Sequence, residues 1–248
     1  MENEGFKSFL HLKINKKDLK PSFSICKTVA SFGVSSFITQ ISITVAMLAL
    51  NNMLVKYGAL SQYGREIPLT ALGIVMKVNQ ILISVIVGIA IGAQPIVGFN
   101  YGAKNYKRVK KAFFTAILIS TIVTVAGFIL FQCAPQIIIN LFGSEDELYN
   151  EFAQKSFRTF LFVCFLNGFQ ISSGIFFQAI GKPLQAALIT LSRQILALVP
   201  AVLILPLFFG VDGVLYAGPT ADTIAFIMAF ILICIEMYQL RKKEKLLQ

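Results

Sequence analysis

The 248 residues are 56% hydrophobic and 14% charged, with a mean hydropathy of +0.74 and a formal net charge of +10. Soluble domains run at about 45–50% apolar and about 25% charged, and disorder needs the opposite balance, so a cytosolic enzyme domain and a disordered chain are both excluded. A hydrocarbon core of ~30 Å crossed at ~1.5 Å per residue takes about 20 residues per helix, and six such helices with short loops account for the length.

Residues 1–23 are polar and basic, with Lys7, Lys13, Lys16, Lys17 and Lys20 and the one histidine, His11. They hold no short apolar region followed by a cleavage site, so no removable signal peptide is expected. Phe6, Phe9, Leu10 and Ile14 fall at helical spacing, which leaves a solvated linker and a helix on an anionic membrane surface as the two readings. The six-helix body is expected over 24–240, and a basic tail over 241–248.

The first apolar run spans Thr28–Val55, followed by a loop from Lys56 to Glu66. The second, Ile67–Ala103, is interrupted by Lys77 alone. The third, from Ala112 to Ser144, is too long for one straight span. Pro135 and Gly143 predict a membrane helix ending near Gln132 and then a short interfacial helix. An acidic loop is expected at Glu145, Asp146, Glu147 and Glu151. The fourth run is Thr159–Gly181, the fifth runs from Pro183 to about Phe209 around Arg193, and the sixth from Gly213 to about Tyr238 around Asp222. None shows two-residue alternation, so these are helices and not barrel strands.

With a cytoplasmic N-terminus and six crossings, sixteen Lys and Arg fall inside and four outside. That bias sets the orientation, both termini inside a plasma (inner) membrane, and explains the net charge without nucleic acid as a partner. Cys26, Cys133, Cys164 and Cys234 are far apart and form no metal or redox pattern.

Ionisable groups inside spans are costly and point to a pathway, a relay or a partner. Asp222 follows Pro219, whose missing N–H frees a carbonyl one turn back, a setting suited to Na⁺ or to a protonatable acid. The other reading makes Asp222 half of an ion pair with Arg193 or Lys77 that holds helices in register. Arg193 lies too deep to reach water easily along its own length, and an interior partner such as Asp222 or a water-filled cavity is expected. Glu236, near the end of the sixth run, is expected to be a solvated helix end. Of the amides in the spans, Gln40, Asn51, Asn79, Gln170, Gln178 and Gln194 are the candidates for lining a substrate cavity, against the ordinary use of such groups as bonds between helices.

The stretch GAQPIVGFNYGAKNYKRV, from Gly92 to Val109, ends a helix and starts the next one on a cluster of cations. Its Gln94, Pro95, Gly98, Asn100, Tyr101, Gly102 and Arg108 resemble a motif between the second and third helices of the C-terminal lobe of the multidrug and toxic compound extrusion (MATE) family. Asn51-Asn52, Gln178–Pro183, Leu191–Gln194 and Gly218–Asp222 follow in family-like order, so the resemblance covers about residues 20–240.

The resemblance implies an all-α polytopic membrane protein, not an enzyme: a cation-coupled antiporter driven by H⁺ or Na⁺ that exports cationic or amphipathic compounds by alternating access. The coupling candidates are Asp222, Arg193 and Lys77. No cofactor or metal beyond the coupling ion is implied. Family members have two six-helix lobes, and this sequence resembles the second alone. Its partners besides membrane lipids and small substrates would be an N-terminal lobe in cis, a second six-helix chain, or a second copy. Acids that some branches carry in the first and fourth helices of this lobe are missing here. The alternatives are a flippase for lipid-linked saccharides and a truncated, non-transporting subunit.

Overall fold

The structure, a computed structural model, describes residues 23–142 and 146–245. The readings of the segment around His11 lie outside them. The described helices are α1 (Phe23–Gly58), α2 (Glu66–Gly102), α3 (Tyr106–Cys133), α4 (Pro135–Phe142), α5 (Glu147–Phe160), α6 (Asn167–Ala179), α7 (Pro183–Leu191), α8 (Val199–Phe209) and α9 (Val211–Lys245). Among the described residues there is no strand. Five spans are long and apolar enough to cross a membrane: α1, α2, α3, α7 continued into α8, and α9. The pair α5–α6, bent by 43°, passes the same test only when its two helices are taken together as one broken span, which gives six. The chain is therefore a multi-pass, all-α membrane protein.

The early boundaries follow the sequence signals. α3 stops at Cys133 and Pro135 opens the short α4, because proline suits a first helical turn but cannot continue a preceding one. Lys107, Arg108, Lys110 and Lys111 lie on the first turns of α3. Beyond Tyr238, α9 continues through Arg241 to Lys245, so the start of the expected tail is helical.

The fourth span differs from expectation. Glu147 and Glu151 belong to α5 rather than to a loop. Tyr149, Phe152, Ala153, Phe157 and Phe160 bury one face at helical spacing, while Glu147, Glu151 and Arg158 lie on the other. The charges mask this 3.6-residue period when composition alone is read. The helix then breaks, with a 3₁₀ turn at Cys164–Leu166, before α6 resumes. Two contacts accompany the break. Thr124 Oγ1 donates to the Phe165 carbonyl at 3.1 Å. Gly168 lies so close to α3 that a Cβ would stand 2.9 Å from the Ser120 carbonyl oxygen.

Between α7 and α8 the chain winds as a π-helix over Ser192–Leu198. Pro200, just beyond it, has no N–H for the carbonyl one turn back, and its ring crowds that carbonyl. A widened turn upstream accommodates this.

The interior has two apolar clusters. One gathers Leu50, Leu72, Val75, Phe152, Phe157, Leu161, Val202 and Leu215, and the other Val97, Phe113, Phe176, Phe177, Ile189, Ile233 and Leu240. On several helices the buried polar residues fall between the two clusters. Ser120 and Thr124 separate Phe113 from Phe131 on α3, Asn167, Gln170 and Ser172 precede Phe176 on α6, and Asp222 lies between Ala221 and Ala229 on α9.

Candidate functional site

The centre of this polar layer is an ion pair. Arg193 Nε donates to Asp222 Oδ1 at 2.6 Å. Asp222 is 2% exposed, and a carboxylate at such depth needs a charged partner. Arg193 reaches it from the π-helical segment, a local widening that recurs at functional sites because it re-aims side chains. On α9, Asp222 follows Pro219, which has no N–H for the Leu215 carbonyl. Thr220 and Thr223 hydroxyls donate to the Tyr216 and Pro219 carbonyls, each at 2.8 Å. α9 also packs against the 3₁₀ turn of the broken span. A π segment, a proline and a helix break thus meet around one ion pair.

The amides divide into two groups. Asn79, Gln170 and Gln194 are buried, as is Asn167, three residues before Gln170 on α6. Asn79 Oδ1, Gln170 Oε1 and Asn167 Nδ2 have no hydrogen-bond partner in the protein, which leaves two acceptors and a donor for a water or an ion. Gln40, Asn51 and Gln178 are exposed instead. Gln40 and Asn51 share a stripe of α1 with Ser36 and Thr44. Lys77 is exposed on α2 in line with Gln80 and Ser84, and among the described residues it makes no ion pair. The structure therefore joins Asp222 to Arg193 and leaves Lys77 apart.

The motif at the end of α2 builds a tight helix-to-helix turn. Asn100 is buried and donates from Nδ2 to the Ile96 carbonyl at 2.8 Å. Its own carbonyl accepts from the Asn105 N–H, also at 2.8 Å. Asn105 Oδ1 caps α3 by accepting from the Arg108 N–H at 3.3 Å. Lys104 between them has φ of +58°. Gly98 permits close approach to α6, where a Cβ would stand 3.3 Å from the Ala179 carbonyl oxygen. Tyr101 Oη accepts from Lys243 Nζ at 3.3 Å. Gln94 lines a void of about 10 Å³ with Phe113 and Ser172. Pro95, Gly102 and Arg108 are exposed.

Glu236 corrects an expectation. It is 3% exposed and pairs with Lys182 across the bundle. Counting residues from the end of the run placed it in solvent, but its partner lies on the turn before α7, 54 positions away, where no local pattern shows it. Lys110–Glu244 ties the same end of α9 to α3. At the opposite end Lys155 pairs with Asp212 at 2.7 Å, and the Tyr63 hydroxyl donates to Glu151 at 3.0 Å. Burial, with Glu151 adding to it, raises the Tyr63 phenol above its ordinary pKa. Ser120 and Thr124, hydroxyls four apart in an uncharged run, carry a sequence signal that the candidates above do not include; Ser172, whose hydroxyl donates to Ser120 Oγ at 3.1 Å, carries none.

With this geometry in place, comparison with known proteins identifies the family. The MatE family model matches residues 35–203. The chain belongs to the MatE family. A relative, "Multidrug export protein MepA" of Staphylococcus haemolyticus, is 24% identical over 237 residues, covering 94% of this chain and 48% of the relative. MepA of Staphylococcus aureus strain MSSA476 is 21% identical over 222 residues, covering 90% and 47%. A crystal structure of MATE in the bent conformation superposes with a TM-score of 0.82 at 23% identity, covering 92% of this chain and 49% of that one. This MatE chain thus spans about half the length of the relatives it matches.

Proposed function

We propose that this MatE chain acts as one lobe of a multidrug efflux antiporter in the plasma membrane, exporting cationic or amphipathic compounds against an inward flow of H⁺ or Na⁺. The observation that carries the reading is the buried Arg193–Asp222 pair at the π-helical turn. A proton or Na⁺ arriving at Asp222 competes with the guanidinium for the carboxylate and unlinks the π segment from α9. A change of one charge thereby becomes a change in how two spans are held. Asn79 and Gln170 each keep a buried oxygen without a hydrogen-bond partner in the protein, acceptors that this reading leaves for water or an ion in the bundle. The exposed polar stripes, Ser36–Gln40–Thr44–Asn51 on α1 and Lys77–Gln80–Ser84 on α2, suit a wet cavity shared with a second lobe better than lipid. That lobe would be an N-terminal half in cis, a separate six-helix chain or a second copy.

The test is accumulation of a fluorescent lipophilic cation in cells lacking their own pumps, with the chain expressed alone and with a candidate second lobe. The expected result is export that Asp222→Asn abolishes at unchanged expression. Export at full rate in Asp222→Asn would remove Asp222 from the coupling. No export from the wild-type chain under either condition would favour a non-transporting subunit.

A further inference from the structure

A groove of about 450 Å³ opens between α2 and α3. Its walls are apolar, with Ile89 and Ile96 from α2 and Ile119 from α3. The same two helices also expose Phe99, Leu118 and Ile122, apolar surface suited to acyl chains. At one end the lining changes character to Arg108, Lys111 and the buried Asn100.

The cations of this helix end are not equivalent. Lys110 is paired with Glu244, and Lys243 with Tyr101. Arg108 and Lys111 are exposed and no acid pairs with either among the described residues. Three residues apart on α3, they share one helical face with Thr115 and Ile119.

We infer that this groove is a binding site for an anionic phospholipid, with the phosphate held by Arg108 and Lys111 and an acyl chain lying along Ile96, Ile89 and Ile119. Basic pockets between membrane helices hold such headgroups by charge, while the apolar walls supply the part that a soluble phosphate lacks. The lipid bridges α2 and α3 at the turn built by Asn100 and Asn105.

The chain contains no tryptophan, so Phe99→Trp, at an exposed position one turn from Ile96, provides a lone fluorescent reporter. The protein is reconstituted in vesicles of phosphatidylcholine and phosphatidylglycerol in which one lipid or the other carries brominated, quenching chains. Brominated phosphatidylglycerol should quench in preference to phosphatidylcholine by about fivefold per cation engaged. Arg108→Gln with Lys111→Gln should remove the preference, and a reporter at Ile129→Trp, at the other end of α3, should show none. Equal quenching by the two lipids, or a preference that survives the double substitution, overturns the proposal. Relief of quenching by inorganic phosphate would assign the cations to a soluble anion and also overturn it. No quenching by either lipid would show the groove covered by protein, with the same consequence.

Discussion

Gly218 of α9 lies against Phe160, the last residue of α5, so closely that a Cβ on the glycine would stand 2.7 Å from the Phe160 carbonyl oxygen and 2.8 Å from a ring carbon. This contact fixes α9 to the point where the fourth span breaks, four residues before Asp222. Since the obstacle includes backbone, it cannot rotate away. Gly218→Ala is expected to destabilise the fold by about 1–3 kcal/mol through overpacking. A thermal unfolding curve of the detergent-solubilised variant checks this, and an unchanged midpoint would contradict the close approach.

The spans and the central pair were legible in the sequence for the same reason. Uncharged runs of membrane length have few folds open to them, and a charge inside such a run calls for a partner or water; the sequence left Asp222 open to Arg193 or Lys77, and the structure joins it to Arg193. The break after Phe160 was not legible. The segment Leu161–Leu166 contains neither glycine nor proline, and its irregular backbone is accompanied by Thr124 and Ser120 of another helix. Glu236 was misplaced for a related reason, since its burial depends on Lys182 from a distant turn. The π segment had a local signal in Pro200, but a proline alone predicts a kink as readily as a widened turn.

Lys182 and Glu236 make a second prediction. Lys182→Ala leaves a carboxylate that is 3% exposed without its cation, and its Oε1 already lacks a partner. Removing one member of a buried pair costs more than removing both. Lys182→Ala should therefore lower the unfolding midpoint, and adding Glu236→Gln to it should raise the midpoint again. A double variant less stable than the single one would show that the pair is not the main bond at this end of α9.

Two glycines of α6 should respond in opposite directions. At Gly168 a Cβ would meet the Ser120 carbonyl and Thr124 Oγ1, each at 2.9 Å, whereas at Gly174 nothing lies within 4 Å. Gly168→Ala must push α3 away and disturb the Thr124 hydroxyl bond to Phe165, an overpacking cost of about 1–3 kcal/mol. Gly174→Ala meets no obstacle and should stabilise by about 0.5–1 kcal/mol through helix propensity. Unfolding midpoints of the two variants, measured side by side, should bracket the parent.

The Arg193–Asp222 pair has two readings, a strut and a coupling site, and one double-mutant cycle separates them. Arg193→Gln strands a carboxylate that is 2% exposed and should cost about 3–5 kcal/mol. Asp222→Asn strands a guanidinium whose side chain is 20% exposed; it keeps some access to water through its length, so the loss should be smaller. Arg193→Gln with Asp222→Asn leaves two neutral groups able to bond to each other, and its stability should return toward the parent. Export by that double variant is the deciding measurement. A strut needs only the link, so export would return with stability. A coupling site needs a group that takes up and releases a cation, which an amide at position 222 cannot do, so export should stay lost in a protein that is folded and nearly as stable as the parent.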